Sequence, residues 1–421
     1  MNPKKPSLSQ SVISLLLFFG VSVLVAGCGG GGGGGKSNTQ NNTGGSQCPG
    51  GSSMTDLSQV RFVDAAATGA GNGTSWVDAF TTIQAALDNA NASAIPEVWV
   101  AGGTYRGPSA NAVVVNMTLG VALFGGFDGT ETAGSERSCT LTPTIISGDF
   151  NGDDTPGDLA TNKTDNSSTV VWGISGAVID GFIIEGGSNT TANPGGGMIT
   201  SGAEVHRLRN MVFRDNFAGS GGALALMSFT YVSNSVFFNN AATNGSGGAI
   251  YTAGSDLLMT NATLDGNSAS ANGGGVYNNT NAIMTNVTFV NNTSANGAGA
   301  GSGVWNDGGS AHVLNSISFG NSVAGGAVFA GISSITNSCT AGDYSAQSNT
   351  NVGNITDPFV MGANGEYFLD QAGPCVDIGS DNNGDDGMVG FTTVVLKDWR
   401  EMTTDIDGAL DATPIDAGRH Y

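Results

Sequence analysis

This chain of 421 residues is poor in charge: Asp, Glu, Lys and Arg make up 11% of it, with only 13 Lys plus Arg. Soluble domains usually carry about 25% charged residues. The 34 acidic residues leave a formal net charge of −21, which excludes nucleic acid and other polyanions as natural partners and permits divalent cations. Helical periodicity is scarce; Gly, Asn, Ser and Thr take the place of the Lys- and Glu-rich stripes of helical proteins. No CxxC or Cys/His spacing suggests a zinc or redox centre. With three histidines, one of them His420 at the extreme C-terminus, the chain has few general bases to offer.

The N-terminus supplies an address. Lys4 and Lys5 precede an apolar run from Val12 to Ala26, too short and too early for a comfortable membrane span but suited to the h-region of an export signal. The run ends in Val25-Ala26-Gly27-Cys28, which resembles the lipobox of bacterial lipoproteins. That resemblance implies cleavage after residue 27 and acylation of Cys28, an anchor of more than one acyl chain that holds stably. Gly29, standing where Asp would signal inner-membrane retention, implies the outer membrane, with the protein facing the surface or the periplasm. Residues 28–58, glycine-rich and then Ser/Asn/Thr-rich, read as a flexible tether. Four further cysteines, Cys48, Cys139, Cys339 and Cys375, suggest two disulfides in an exported chain. Three pairings are possible; Cys339–Cys375 would hold the C-terminal region together, and Cys48–Cys139 is the remaining pair.

A repeat decides the fold. Gly-rich turns lead into Met198, Leu224, Ile250, Val276 and Val304, positions separated by 26, 26, 26 and 28 residues. A second motif interleaves, from Asn210 through Phe213 to Asn216, then Asn234–Phe237–Asn240, Asn261–Leu264–Asn267 and Asn286–Phe289–Asn292, with a weaker copy from Asn315 to Asn321. Short β-type runs recurring at this period predict a solenoid whose coils stack about 4.8 Å apart. Phe213, Phe237, Leu264 and Phe289 then form an internal apolar ladder, and Asn210, Asn234, Asn261, Asn286 and Asn315 a polar one bonded through their amides.

These motifs resemble the polymorphic outer-membrane protein repeat of pectin-lyase-like proteins, over roughly residues 178–321. The resemblance implies an all-β, right-handed parallel β-helix, placed here at residues 59–335. Ile83, Ala86, Leu87 and Ala90 share one face of a short N-terminal helix that caps the first coil, with Thr81 and Gln84 as a capping box. Residues 336–421, with Asp357-Pro358-Phe359, Gly365 to Leu369, Gly373-Pro374-Cys375 and Pro414 to Gly418, resemble the choice-of-anchor Q region, which implies last coils and a C-terminal cap.

Enzymes of this fold need either a base with a cation against a uronate carboxylate, or paired carboxylates about a sugar bond. The only basic cluster is His206, Arg207, Arg209 and Arg214; Arg207, Arg209 and His206 are the candidates if the chain is a lyase, against a competing reading as a solvated outer strand. Elements of polygalacturonases and pectate lyases are absent. Asp149, Asn151, Asp153 and Asp158 place oxygen ligands as calcium loops do, and Asp381, Asn383 and Asp385 repeat the theme; both are also read as Asx turns. No other cofactor is expected. The leading expectation is a non-catalytic, lipid-anchored envelope protein, adhesin-like or binding a neutral glycan or another cell surface through Tyr231, Tyr251, Tyr277 and Trp305. Its rivals are a polysaccharide lyase or hydrolase, and a purely structural envelope protein.

Overall fold

The computed structural model describes Cys48, residues 52–139, 142–189, 194–296, 300–323 and 327–340, and the backbone of two strands, Phe359–Met361 and Tyr367–Leu369. Cys28, the leader and Cys375 lie outside the described residues, as do Asp381, Asn383 and Asp385. No described helix is long and apolar enough to cross a membrane.

The chain winds as a parallel β-solenoid. A 16-stranded sheet carries two rows of strands, an eight-stranded sheet forms a second wall, and a five-stranded sheet a third. Every pairing within these three sheets is parallel, between one coil and the next. Right-handed winding is the hand that parallel crossovers adopt. The register matches the repeat: Met198 pairs with Leu224, Leu224 with Ile250, Ile250 with Val276 and Val276 with Val304.

Phe213, Phe237, Leu264 and Phe289 are stacked in register and fully buried. The Phe213 and Phe237 rings lie 5.1 Å apart and 3° from parallel. The Asn ladder is double. Asn210, Asn234, Asn261, Asn286 and Asn315 occupy left-handed corners with φ between 47° and 55°, where the two strand rows meet. Asn261 and Asn286 each donate to the Asn one coil before, at 3.3 and 3.1 Å. The ladder inside the solenoid is the other Asn of the motif. Asn216 donates to Asn240, Asn240 to Asn267, Asn267 to Asn292 and Asn292 to Asn321, at 3.1 to 2.8 Å. Asn216, Asn240, Asn267 and Asn292 are fully buried, and each also bonds backbone of its own or a neighbouring coil.

The Gly-Gly turns have two separate causes. Gly247 sits at φ +71°, a conformation that L side chains rarely adopt. At Gly248 a Cβ would come within 2.2 Å of the Gly274 carbonyl of the next coil, so the second glycine is demanded by close approach.

The capping helix, Ile83–Ala92, buries Ile83, Ala86, Leu87 and Ala90 against the first coils. Its N-cap is Thr82, whose hydroxyl accepts from Ala85 N–H, so the capping box of Thr81 and Gln84 does not form. Gln84 instead donates to Asp88 and to the Asn116 carbonyl of a neighbouring strand. Residues 52–58, assigned by composition to the tether, belong to the folded part. Ser52 is buried and donates to Glu97, and Asp56 caps a short 3-10 turn, Leu57–Gln59. Cys48 and Cys139 are disulfide-bonded with Cα atoms 5.3 Å apart, closing a 91-residue separation. Cys339 is also disulfide-bonded, to a partner outside the described residues. Ser334–Thr336 and Cys339–Thr340 complete the last parallel coil. Phe359–Met361 and Tyr367–Leu369 pair antiparallel, so this part of the C-terminal region is a hairpin and not a further coil.

Candidate functional site

The basic coil does not converge. The strand His206–Arg209 alternates sides: His206 and Leu208 are fully buried, while Arg207 and Arg209 face outward. The His206 Nε2 bonds the Ser201 carbonyl at 3.1 Å, and burial lowers its pKa, which keeps the imidazole neutral within the coil. Arg207 lies over the Tyr231 ring at 5.6 Å. Arg209 approaches Asp180, whose carboxylate is fully buried and already paired with buried Arg137 at 2.6 Å. Arg214 is paired with Glu185 on the preceding coil at 2.7 Å. The three lyase candidates therefore point into different environments, and two of the outward cations are engaged by carboxylates. The Arg137–Asp180 pair bridges 43 positions of sequence and left no local signal.

The acidic loop gathers a different set from the one its spacing suggested. Carboxylate oxygens of Asp149, Asp153 and Asp165 lie within 4.8 Å of one another, a grouping that could hold a divalent cation. Asp158 is outside this group; its carboxylate accepts from the N–H of Ala160 and Thr161 and from the Thr161 hydroxyl, closing its own turn. Asn151 contributes its backbone N–H to Asp165 at 2.8 Å. Asp149 is buried and accepts from the N–H groups of Gly152, Asp153 and Asp154. That is the hydrogen bonding of an Asx-stabilised loop. Asp165 was missed because it returns to the loop from a later turn, a proximity that local spacing does not encode.

The outward column of the eight-stranded sheet runs, in register, through Trp172, Ile199, Ala225, Tyr251, Tyr277 and Trp305. Tyr251 and Tyr277 stack with centroids 5.0 Å apart. Tyr277 donates its hydroxyl to Asp307 at 2.6 Å, and burial together with that bond holds the phenol protonated. The Trp305 indole N–H is buried without a hydrogen-bond partner. All three rings are half-buried, and Trp172 is 38% exposed. Tyr231, expected with them, is instead buried at 2% exposure on a different wall.

One carboxyl outside these groups is strongly perturbed. Asp265 faces outward between Phe238 and Val290 of the adjoining coils, and burial pushes its pKa up to about 6 despite a hydrogen bond from Asn291. The folded state thus keeps a proton that the unfolded state has released. Stability from this group falls as pH rises from about 4 to about 6 and is level above that. Asp265→Asn is expected to raise stability at neutral pH by about 1–3 kcal/mol and to leave it nearly unchanged below pH about 4. Urea unfolding at the two pH values checks this; an equal effect at both would show that the carboxyl is not perturbed.

No family model matches the chain, and no curated protein matches it. Among solved structures, it is similar to the crystal structure of a pectate lyase, Pel9A, at 13% identity and a TM-score of 0.39, covering 79% of this chain and 93% of that one. The strand register, not this likeness, carries the fold assignment.

Proposed function

We propose that this protein is a lipid-anchored envelope β-helix that binds a neutral glycan on the outer wall of its eight-stranded sheet and performs no chemistry on it. The observation that carries the reading is the aromatic column Tyr251, Tyr277 and Trp305, three consecutive coils in register. Half-buried aromatic rings give a sugar apolar contact at low entropic cost, since their side chains are already ordered. Asp307 adds an acceptor beside the rings. The net charge of −21 disfavours anionic polymers such as uronates, so a neutral chain is the better fit. The anchor is Cys28, with the outer membrane as its destination and the solenoid held away from the lipid by the glycine-rich segment.

Calorimetric titration with neutral oligosaccharides tests the site. Trp305→Ala and Tyr277→Ala are each expected to weaken binding by about ten- to a hundredfold, the loss of one or two aromatic contacts. Trp172→Ala, separated from Tyr251 by the two intervening coils of Ile199 and Ala225, is expected to have a smaller effect. Unchanged affinity in the Trp305 and Tyr277 variants would remove the site from this wall.

A further inference from the structure

The loop that follows Asp149 buries three polar side chains that neither the acidic group nor the aromatic wall uses. The side chains of Lys163 and Asp154 are 7% and 13% exposed, and the Lys163 Nζ lies 2.7 Å from the Asp154 Oδ2. Asn166 is fully buried, and its Nδ2 donates to that same Asp154 oxygen at 2.8 Å and to the Gly186 carbonyl at 2.8 Å. An amine nitrogen and an amide nitrogen therefore meet on one carboxylate oxygen, out of water.

In its ionised form this group is poorly matched. The Asp154 Oδ1 and the Asn166 Oδ1 are both buried with no hydrogen-bond partner. An ammonium offers three donors, and among the described residues Asp154 is the one acceptor that Lys163 meets. Two charges are thus held in the interior beside two idle acceptors. A buried ion pair offsets its desolvation only when the remaining lone pairs and protons are hydrogen-bonded, and here they are not.

We infer that Lys163 and Asn166 join in an intramolecular isopeptide bond, with Asp154 as the proton carrier. Lys163 gives one proton to Asp154, and the neutral amine attacks the Asn166 Cγ. The Nζ–Cγ bond forms and the Cγ–Nδ2 bond breaks. The leaving nitrogen takes the bonding pair and a second proton from Nζ, and departs as ammonia. Asp154 keeps the first proton, so both charges are cancelled and no co-reactant is needed. The product also repairs the mismatch. The new amide N–H donates to the Asp154 Oδ2, and the protonated Oδ1 donates to the Asn166 Oδ1. Holding amine, carboxyl and amide in contact makes the step intramolecular, which is what lets a weak electrophile react without an external enzyme. The link closes residues 163–166 into a ring. It fixes the turn from which Asp165 reaches the Asn151 N–H and the Ser167 N–H reaches the Gly148 carbonyl.

Tryptic mapping of the reduced full chain by mass spectrometry tests the bond. Lys163 is the one tryptic site between Arg137 and Arg207. The expected product is a single peptide from Ser138 to Arg207, uncut after Lys163 and lighter than its sequence by one ammonia, with fragment ions that place the link between the two side chains. Cleavage after Lys163 at full mass would overturn the proposal, and so would an ammonia loss confined to Asn166 beside a free lysine. Asp154→Asn keeps the size of the side chain and removes the proton carrier. In that variant the linked fraction is expected to fall from nearly all of the chain to almost none. A link that forms to the same extent in Asp154→Asn contradicts the assigned chemistry.

Discussion

Phe237→Ala is expected to destabilise the protein by about 3–5 kcal/mol, the cost of deleting a fully buried ring. Phe237 is completely buried, pairs in register with Phe213 and Leu264, and stacks on the Phe213 ring at 5.1 Å. Coils above and below are fixed by their own ladders, so the wall has little freedom to collapse into the space left. The neighbouring residue supplies the control. Phe238 points to the other side of the same strand and is half-buried, so Phe238→Ala is expected to cost less than about 1.5 kcal/mol. Urea unfolding of both variants checks the pair; equal losses would mean that the strand is read in the wrong register.

Cys28→Ala is expected to abolish anchoring altogether. On the lipoprotein reading proposed above, Cys28 carries the thioether to diacylglycerol, and removing the thiol removes that attachment. The variant should incorporate no labelled palmitate and should move from the detergent phase to the aqueous phase on partitioning. Unchanged partitioning would remove the lipoprotein reading.

Legibility in the sequence followed the geometry of the coil. The Met198-to-Val304 series was readable because one coil has nearly constant length, so equivalent residues return at a fixed spacing. The same logic placed Phe213, Phe237, Leu264 and Phe289 correctly. It could not separate the two asparagines of the motif, because both recur at the same period. Their difference lies in the backbone: Asn210 takes the left-handed corner, whereas Asn216 follows another left-handed residue, Asp215, and turns inward. A rule that resets strand parity at each such corner would have assigned Asn216, Asn240, Asn267 and Asn292 to the interior.

The site residues were less legible because they depend on orientation. His206 and Arg207 are adjacent in sequence and sit on opposite sides of one strand. Asp158 has the spacing of a ligand and satisfies its own turn, while Asp165 arrives from elsewhere. The aromatic column was half legible. Tyr251 and Tyr277 fall at equivalent positions of consecutive repeats and share a wall, whereas Tyr231 belongs to the next wall, where it is covered.

Glycan retention and product release, measured on one preparation of the full chain, test the central claim most directly. Neutral glycans and uronate polymers are presented together, with and without added Ca²⁺, and bound sugar and unsaturated uronate are both assayed. Binding of a neutral glycan that is lost in Trp305→Ala, with no unsaturated product under either condition, is the predicted result. Release of unsaturated product that disappears in Arg207→Ala or Arg209→Ala would contradict it and make the chain a lyase.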